Sequence, residues 1–146
     1  MGDVTYYEAM DKKVARILDA NSNRAREAIR VCEEITRLYL NHRRFSSQLK
    51  NIRHDITRAV KQLPVSYKVF LEGRDSNHDV GSDMVVFQKQ VIDYKDIFIR
   101  NMKRAQEAVR VLEEFSKVIS KKASGHFQKI RFALYQLERN MLRKVL

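Results

Sequence analysis

The chain has 146 residues, and its 29 Lys and Arg outnumber its 18 Asp and Glu, which gives a formal net charge of +11. With 44% hydrophobic and 32% charged residues, it can bury one core beneath a charged exterior, which excludes a disordered chain and favours one ordinary domain. It has no apolar run long enough for a membrane helix and no apolar signal segment at its start, which predicts a cytoplasmic protein.

The sequence also restricts the kinds of site. One cysteine excludes an intrachain disulfide, and the four histidines are too scattered for a zinc pattern. Neither G-x-x-x-x-G-K nor G-x-G-x-x-G occurs, so a glycine-rich phosphate loop is excluded. The positive charge favours anionic partners, and a bound phosphate would have to be held by side chains.

The first half of the chain is predicted to form two helices. Apolar residues at helical spacing indicate a long first helix over about residues 5–41. A polar break from Asn41 to Ser47 separates it from a second amphipathic helix, which Pro64 ends.

The second half opens with a long connection. Residues 64–91, which include Gly73 and Gly81, are predicted to be irregular. Helical spacing then resumes for two more helices, with a break around Ser124 and Gly125 between them.

The two halves repeat each other. A shift of 80 residues matches nine of the fourteen positions from Asn21 to Glu34 with those from Asn101 to Glu114, and a shift of 78 matches Arg53 with Arg131. Internal duplication predicts an all-α, four-helix arrangement of two hairpins related by approximate two-fold symmetry. The predicted single domain divides into a first repeat over about 10–63, a central loop over 64–91 and a second repeat over about 92–142.

Polar residues lie on the face of each repeat that should be buried. On a helical wheel the apolar arc of the first helix is centred close to Asn21, with Arg24 inside the arc and Glu27 at its edge. An interior that holds arginines is costly unless an anion neutralises them, and the guanidinium fork matches phosphate oxygens. The third helix repeats the set with Asn101, Arg104 and Glu107. Two such sets are therefore predicted to converge near the symmetry axis.

Each feature also has a purely structural explanation. A buried asparagine can fix helix register, and an arginine and a glutamate three residues apart can form an ordinary surface pair. Cys32 is most simply a core residue. Four charged residues lie away from the apolar arc, which favours a solvated charge lattice or an oligomer contact over catalysis: Arg30, Glu33, Arg110 and Glu113.

The central loop is a second candidate region. Asp75, Asp79 and Asp83 could hold Mg²⁺ directly or through water, and Arg74 could meet a phosphate. A solvated turn uses the same residue types, so it remains the alternative explanation. His54 stands beside a carboxylate in the second helix, where it is either a site residue or a local hydrogen-bond partner.

Taken in order, these motifs resemble a known family. Residues 16–31, with R-I-L-D-A-N, R-A-R-E and R-V, resemble the opening signature of the small hydroxymethylpyrimidine-phosphate kinases of thiamin biosynthesis. Members of that family stand alone or are fused to the N-terminus of thiamin-phosphate synthase. The resemblance covers about residues 14–142. The later blocks similar to the family are Arg53-His54-Asp55, Arg74-Asp75, Asp79-Val80-Gly81, the stretch from Asn101 to Glu114, and Arg131 followed by Tyr135 and Glu138.

The resemblance implies transfer of the ATP γ-phosphoryl group to hydroxymethylpyrimidine monophosphate, with Mg²⁺ as cofactor. Five arginines are then expected to bind phosphates: Arg24, Arg104, Arg53, Arg131 and Arg74. The residues expected to contact substrate are Asn21, Asn101, Glu27, Glu107 and His54. Asp75 and Asp79 are the expected metal ligands, with Glu27 or Glu107 as the second choice.

Two other classes of function stay open. A basic helical module that binds nucleic acid would explain the charge, although the basic residues are spread over all four helices and interleaved with acids. A non-catalytic domain associated with thiamin-phosphate synthase would explain the resemblance without chemistry. ATP and a pyrimidine phosphate are the expected partners, with no membrane, and a homo-oligomer is left open.

Overall fold

A computed structural model of the chain describes residues 4–82 and 93–146. These residues form five α-helices and no strand, which confirms the all-α prediction. A π-helix, Ile35–Tyr39, extends the first helix by a further turn. The α-helices are α1 (Val4–Glu34), α2 (Arg43–Lys61), α3 (Tyr67–Gly73), α4 (Tyr94–Ser116) and α5 (Lys121–Lys144).

The connection within the first hairpin is shorter than predicted. Asn41 has a φ of 52°, and His42 caps α2 by accepting a hydrogen bond on Nδ1 from the Phe45 amide at 3.2 Å. Because His42 satisfies an amide of the first turn, α2 begins at Arg43, four residues before the predicted polar break ends.

The predicted break around Ser124 and Gly125 is wrong, because both residues lie inside α5. The helix begins after Ser120, whose Oγ accepts a hydrogen bond from the Ala123 amide at 3.2 Å. Ser124 turns inward and donates to the Glu113 carbonyl at 2.9 Å. A serine and a glycine that look like a loop in the sequence are therefore accommodated within the helix.

The segment predicted to be irregular contains α3. Ser66 caps this short helix by accepting a hydrogen bond on Oγ from the Val69 amide, and Phe70 buries its ring with 5% of the residue exposed. A helix of seven residues is too short to produce a periodic pattern, which is why it was not predicted.

The two hairpins, α1–α2 and α4–α5, share one hydrophobic core, and the most extensive helix contact in it joins α1 to α4. Cys32, near the end of α1, has its Sγ 3.6 Å from the carbonyl oxygen of Phe98, near the start of α4, so the helices run antiparallel. Counting back seven residues from Cys32 and forward seven from Phe98 brings Ala25 opposite Ala105, and both alanines are fully buried. Equivalent residues of the two repeats are therefore level with each other in this antiparallel pair.

We expect the Ala25→Leu and Ala105→Leu variants each to lower the free energy of unfolding by about 1–3 kcal/mol, because a larger side chain would force apart two closely packed helices. Urea unfolding followed by circular dichroism measures the change. Ala133, exposed on α5, provides the matched control, and Ala133→Leu is expected to have little effect. A neutral Ala25→Leu variant would contradict close packing of α1 against α4 at this position.

Within the described part of the chain, none of the helices has the length and apolar character needed to cross a membrane.

Candidate functional site

A cavity of about 610 Å³ lies between α1 and α4, and we call it the central groove. It is lined by five residues of α1, each paired with the residue of α4 that stands 80 positions later in the chain. These residues are Asn21, Arg24, Glu27, Ala28 and Val31 from α1 and Asn101, Arg104, Glu107, Ala108 and Val111 from α4. The two polar sets that were predicted to converge do so.

The two asparagines are held in the same way. Asn21 Nδ2 donates to the Ile17 carbonyl at 2.9 Å, and Asn101 Nδ2 donates to the Ile97 carbonyl at 2.8 Å. Because each amide group is tied to its own helix one turn back, the side-chain oxygen is left to accept a hydrogen bond from a ligand. Asn21 is 6% exposed, as expected for a residue at the centre of the buried arc.

Arg24 and Arg104 lie on the exposed side of the central groove. Within the described residues, neither arginine forms an ion pair or a side-chain hydrogen bond, and the same holds for Glu27 and Glu107. The wheel placed Arg24 inside the apolar arc, whereas the structure places it at the mouth of the groove. Its length lets the guanidinium reach water while the stem stays beside the helix.

Arg53 and Arg131 do not line the central groove, because a buried glutamate holds each of them. Arg53 Nε donates to Glu33 Oε2 at 2.8 Å, and Arg131 Nε donates to Glu113 Oε2 at 2.7 Å. A second guanidinium nitrogen completes each pair at 3.3 and 3.4 Å. The hydrogen bond to its glutamate raises the pKa of each guanidinium. These equivalent pairs join α1 to α2 and α4 to α5.

The prediction that Glu33 and Glu113 belong to a solvated surface is wrong, since each is only 4% exposed. The same prediction, of a solvated charge lattice, holds for Arg30 and Arg110. Arg30 Nε lies 3.1 Å from Glu34 Oε1, and Arg110 Nη2 lies 3.1 Å from Glu114, in exposed ion pairs along the helix. The surface charge lattice therefore exists, and Glu33 contacts it only from below, with Oε1 3.6 Å from Arg30 Nη1.

Arg74 is also engaged within the protein. Its Nε and Nη2 donate to the two carboxylate oxygens of Asp19 at 2.9 and 2.7 Å, which ties the end of α3 to α1. Sequence reasoning missed Asp19, which is 9% exposed and has Ile99 as its counterpart in the second repeat. Arg16 adds a second tie by donating to the Asp75 carbonyl at 3.0 Å.

The two predicted metal ligands are occupied by local hydrogen bonds. Asp75 Oδ2 lies 2.6 Å from His78 Nδ1, and Asp79 Oδ1 accepts from the Gly81 amide at 2.8 Å. The hydrogen bond from His78 lowers the pKa of Asp75. Over residues 12–82 and 93–146, no three His, Cys, Asp or Glu side chains come together to hold a metal. Asp83 lies outside the described residues, and the metal site stays a prediction.

His54 is exposed on α2 and is not among the residues that line the central groove. Its neighbour Asp55 pairs instead with Arg58, one turn further along the same helix. The structure therefore gives no contact between His54 and the other residues expected to bind substrate.

Cys32 is a core residue, as predicted, and burial together with the nearby charge of Glu138 raises its pKa to about 12.

We expect the native protein not to react with Ellman's reagent at pH 8, because the reactive thiolate of Cys32 forms only well above that pH. The colorimetric assay should report one thiol per chain after unfolding in guanidinium chloride. Rapid labelling of the native protein would show that the α1–α4 interface opens.

Comparison with known proteins gives a consistent result. The model of the ThiD2 family matches residues 16–140. Among the relatives, a protein of Synechocystis sp. named thiamine-phosphate synthase is 32% identical over 136 residues, which is 92% of this chain and 38% of that protein. A protein of the same name from Prochlorococcus marinus is 35% identical over 129 residues, 88% of this chain and 36% of its own length. No solved structure matches the chain.

The chain thus spans little more than a third of the relatives that it matches, 38% and 36% of their respective lengths. The family match covers both repeats, including every residue that lines the central groove. The chain therefore belongs to the ThiD2 family and is related to proteins of thiamin biosynthesis.

Proposed function

We propose that the protein is a kinase that transfers the γ-phosphoryl group of ATP to hydroxymethylpyrimidine monophosphate, with the central groove as its active site. The observation that carries the proposal is that Arg24 and Arg104 both line the groove and that neither has an ion-pair partner within the described chain. The family membership and the thiamine-phosphate synthase relatives support the choice of substrate.

The proposed reaction joins two phosphates. An oxygen of the pyrimidine's phosphate attacks the γ-phosphorus of ATP, a new phosphorus–oxygen bond forms, and the bond to the β-phosphate oxygen breaks to release ADP. The attacking oxygen is ionised at neutral pH, so this step needs no residue to accept a proton. The protein's task is to position two anionic groups and to neutralise their repulsion.

The pseudo-symmetric groove suits this task because it offers the same polar groups twice. Arg24 and Arg104 would each bind one phosphoryl group, and the oxygens of Asn21 and Asn101 would orient the substrates. Magnesium, if used, would be held by the carboxylates of Glu27 and Glu107, and it would neutralise part of the triphosphate charge. Arg53, Arg131 and Arg74 would act as positioning residues.

A coupled assay for ADP tests the proposal. Purified protein with Mg-ATP is expected to release ADP when hydroxymethylpyrimidine monophosphate is supplied and not when the free alcohol is supplied, because the alcohol has no phosphate for Arg24 or Arg104 to bind. Absence of ADP formation with the monophosphate would overturn the kinase and favour the non-catalytic domain. Steeply salt-dependent binding to random duplex DNA would favour the nucleic-acid module.

A further inference from the structure

A second cavity, of about 540 Å³, lies between α1, α2 and α3, and we call it the α3 cavity. Its size falls within the range of about 300–1,000 Å³ that is typical of small-molecule sites. The residues that matter for its chemistry are Asp19 and Ser22 from α1, Lys61 from α2, and Tyr67 and Phe70 from α3. None of these five is among the residues that line the central groove.

The walls of the α3 cavity combine aromatic and hydrogen-bonding groups. Phe70 lies in the wall with 5% exposure, whereas Tyr67 lines the same cavity and is 70% exposed, so much of its side chain is accessible to a ligand. Ser22 is 3% exposed, and no hydrogen bond to its hydroxyl occurs within the described residues. A flat ring that carries polar substituents would contact both kinds of group.

Asp19 supplies a preformed acceptor at the same wall. Arg74 takes one position on each of its two carboxylate oxygens, and a carboxylate has about four acceptor positions in all. The remaining positions can accept hydrogen bonds from an amine on a ring. The ion pair also keeps the carboxylate charged and fixes its orientation.

The charge of the α3 cavity favours an anionic ligand. Arg26, Lys61 and Arg74 contribute three cations against the single carboxylate of Asp19. Lys61 has no ion-pair partner within the described chain, and Arg26 donates only to the neutral side chain of Asn23, at 2.7 Å. A phosphate attached to the ring would therefore be attracted to the rim.

The second repeat lacks the polar residues of the α3 cavity. The positions that correspond to Asp19 and Ser22 are Ile99 and Met102, both apolar. The position that corresponds to Arg26 is Gln106, which hydrogen-bonds to Glu138 across the two helices. The acid, the hydroxyl and the base of the α3 cavity are therefore specific to the first repeat.

A shallow depression connects the α3 cavity with the central groove. It shares Asn23 and Arg26 with the cavity and Glu27 with the groove, and Arg53 forms part of its wall. A ligand whose ring lies in the cavity could therefore direct its phosphates along a basic surface toward Arg24.

We infer that the α3 cavity binds the amine-bearing aromatic ring of a phosphorylated heterocycle, with the ring against Tyr67, the amine on Asp19 and the phosphate toward Lys61 and Arg26. Both substrates of the proposed kinase have this chemistry, so the inference rests on the proposed function for its choice of ligands. It does not rest on turnover, and it can be tested by binding alone.

Isothermal titration calorimetry provides the test, with a non-hydrolysable ATP analogue in one series and hydroxymethylpyrimidine monophosphate in the other. We expect Tyr67→Ala to weaken binding of one of the two ligands at least about fivefold, because stacking on the ring is lost. The ligand that is weakened is the one whose ring occupies the cavity. Lys61→Gln is expected to weaken the same ligand.

Two exposed residues provide matched controls. Tyr39 is 65% exposed on the π-helix, far along the chain from α3, and Tyr39→Ala should leave both affinities unchanged. Lys68 lies on α3 but does not line the cavity, and Lys68→Gln should likewise have no effect. Thermal unfolding of all four variants checks that their folds are intact.

Two results would overturn the inference: wild-type protein that binds neither ligand, or Tyr67→Ala and Lys61→Gln variants that bind both ligands as the wild type does. The second result leaves the kinase proposal standing if ADP is still formed. If binding depends on Tyr67 but no ADP is formed, the inference about the α3 cavity is supported and the kinase proposal is overturned.

Discussion

The Glu113→Gln variant is expected to lose about 3 kcal/mol of unfolding free energy, at the lower end of the loss seen when one partner of a buried ion pair is removed. Only 6% of the Glu113 side chain and 11% of the Arg131 side chain are exposed. A neutral amide would leave the guanidinium charge largely out of water without a counter-charge. The cost should appear as a lower urea midpoint with an unchanged slope.

Two further variants make the result specific. Glu33→Gln removes the equivalent pair in the first repeat, and its effect should be smaller because 21% of the Arg53 side chain is exposed. Glu114→Gln is the matched control, since this neighbour of Glu113 is exposed and its ion pairs in the described chain are local, with Arg110 on α4 and with Lys117 just after it. If Glu113→Gln were no more damaging than Glu114→Gln, the ion pair would not be what holds α5 against α4.

The duplication made much of the fold and of the central groove predictable from the sequence. Agreement at nine of fourteen positions tied the second hairpin to the first and indicated that Asn21 and Asn101 share one site. A sequence pattern that recurs at a fixed shift also predicts tertiary contacts, because equivalent residues close to the symmetry axis come near each other. The antiparallel pairing of α1 with α4, in which the buried Ala25 is level with the buried Ala105, agrees with that symmetry.

The errors arise where a neighbouring helix changes the environment of a residue. A helical wheel assigns a residue to a face of its own helix only, and it placed Glu33 and Glu113 toward water. In the structure α2 and α5 cover that flank and bring Arg53 and Arg131 to the two carboxylates. The sequence did contain a signal for this contact. The glutamate repeats at a shift of 80 residues and the arginine at a shift of 78, so each hairpin contains both members of the pair.

The Asp19–Arg74 pair is a different case, since only one repeat contains it. Its partners are 55 residues apart, and they belong to α1 and to the residue that follows α3. Neither the duplication nor the local spacing indicates such a contact. The α3 cavity, which depends on this pair and on a seven-residue helix, was for the same reasons not predictable from the sequence.

Replacing Arg24 or Arg104 by Ala is expected to lower the kcat/KM of the proposed kinase about 100-fold or more, the loss typical of removing one preorganised group that stabilises transition-state charge. Both side chains are exposed and make no ion pair in the described residues, so the free energy of unfolding should hardly change. Steady-state assays of ADP release, with urea unfolding of the same samples, measure the two effects separately. If these arginines had only a structural role, the substitutions would lower the free energy of unfolding instead.

Substitutions that keep the charge sharpen the same experiment. Arg24→Lys and Arg104→Lys should recover part of the lost activity, because the ammonium group neutralises a phosphate but cannot bind two of its oxygens with a planar fork. Arg139, exposed on α5 and outside the groove, is the matched control, and Arg139→Ala should retain full activity. Equal activity of the Arg24→Ala, Arg104→Ala and Arg139→Ala variants would show that phosphoryl transfer takes place elsewhere on the protein.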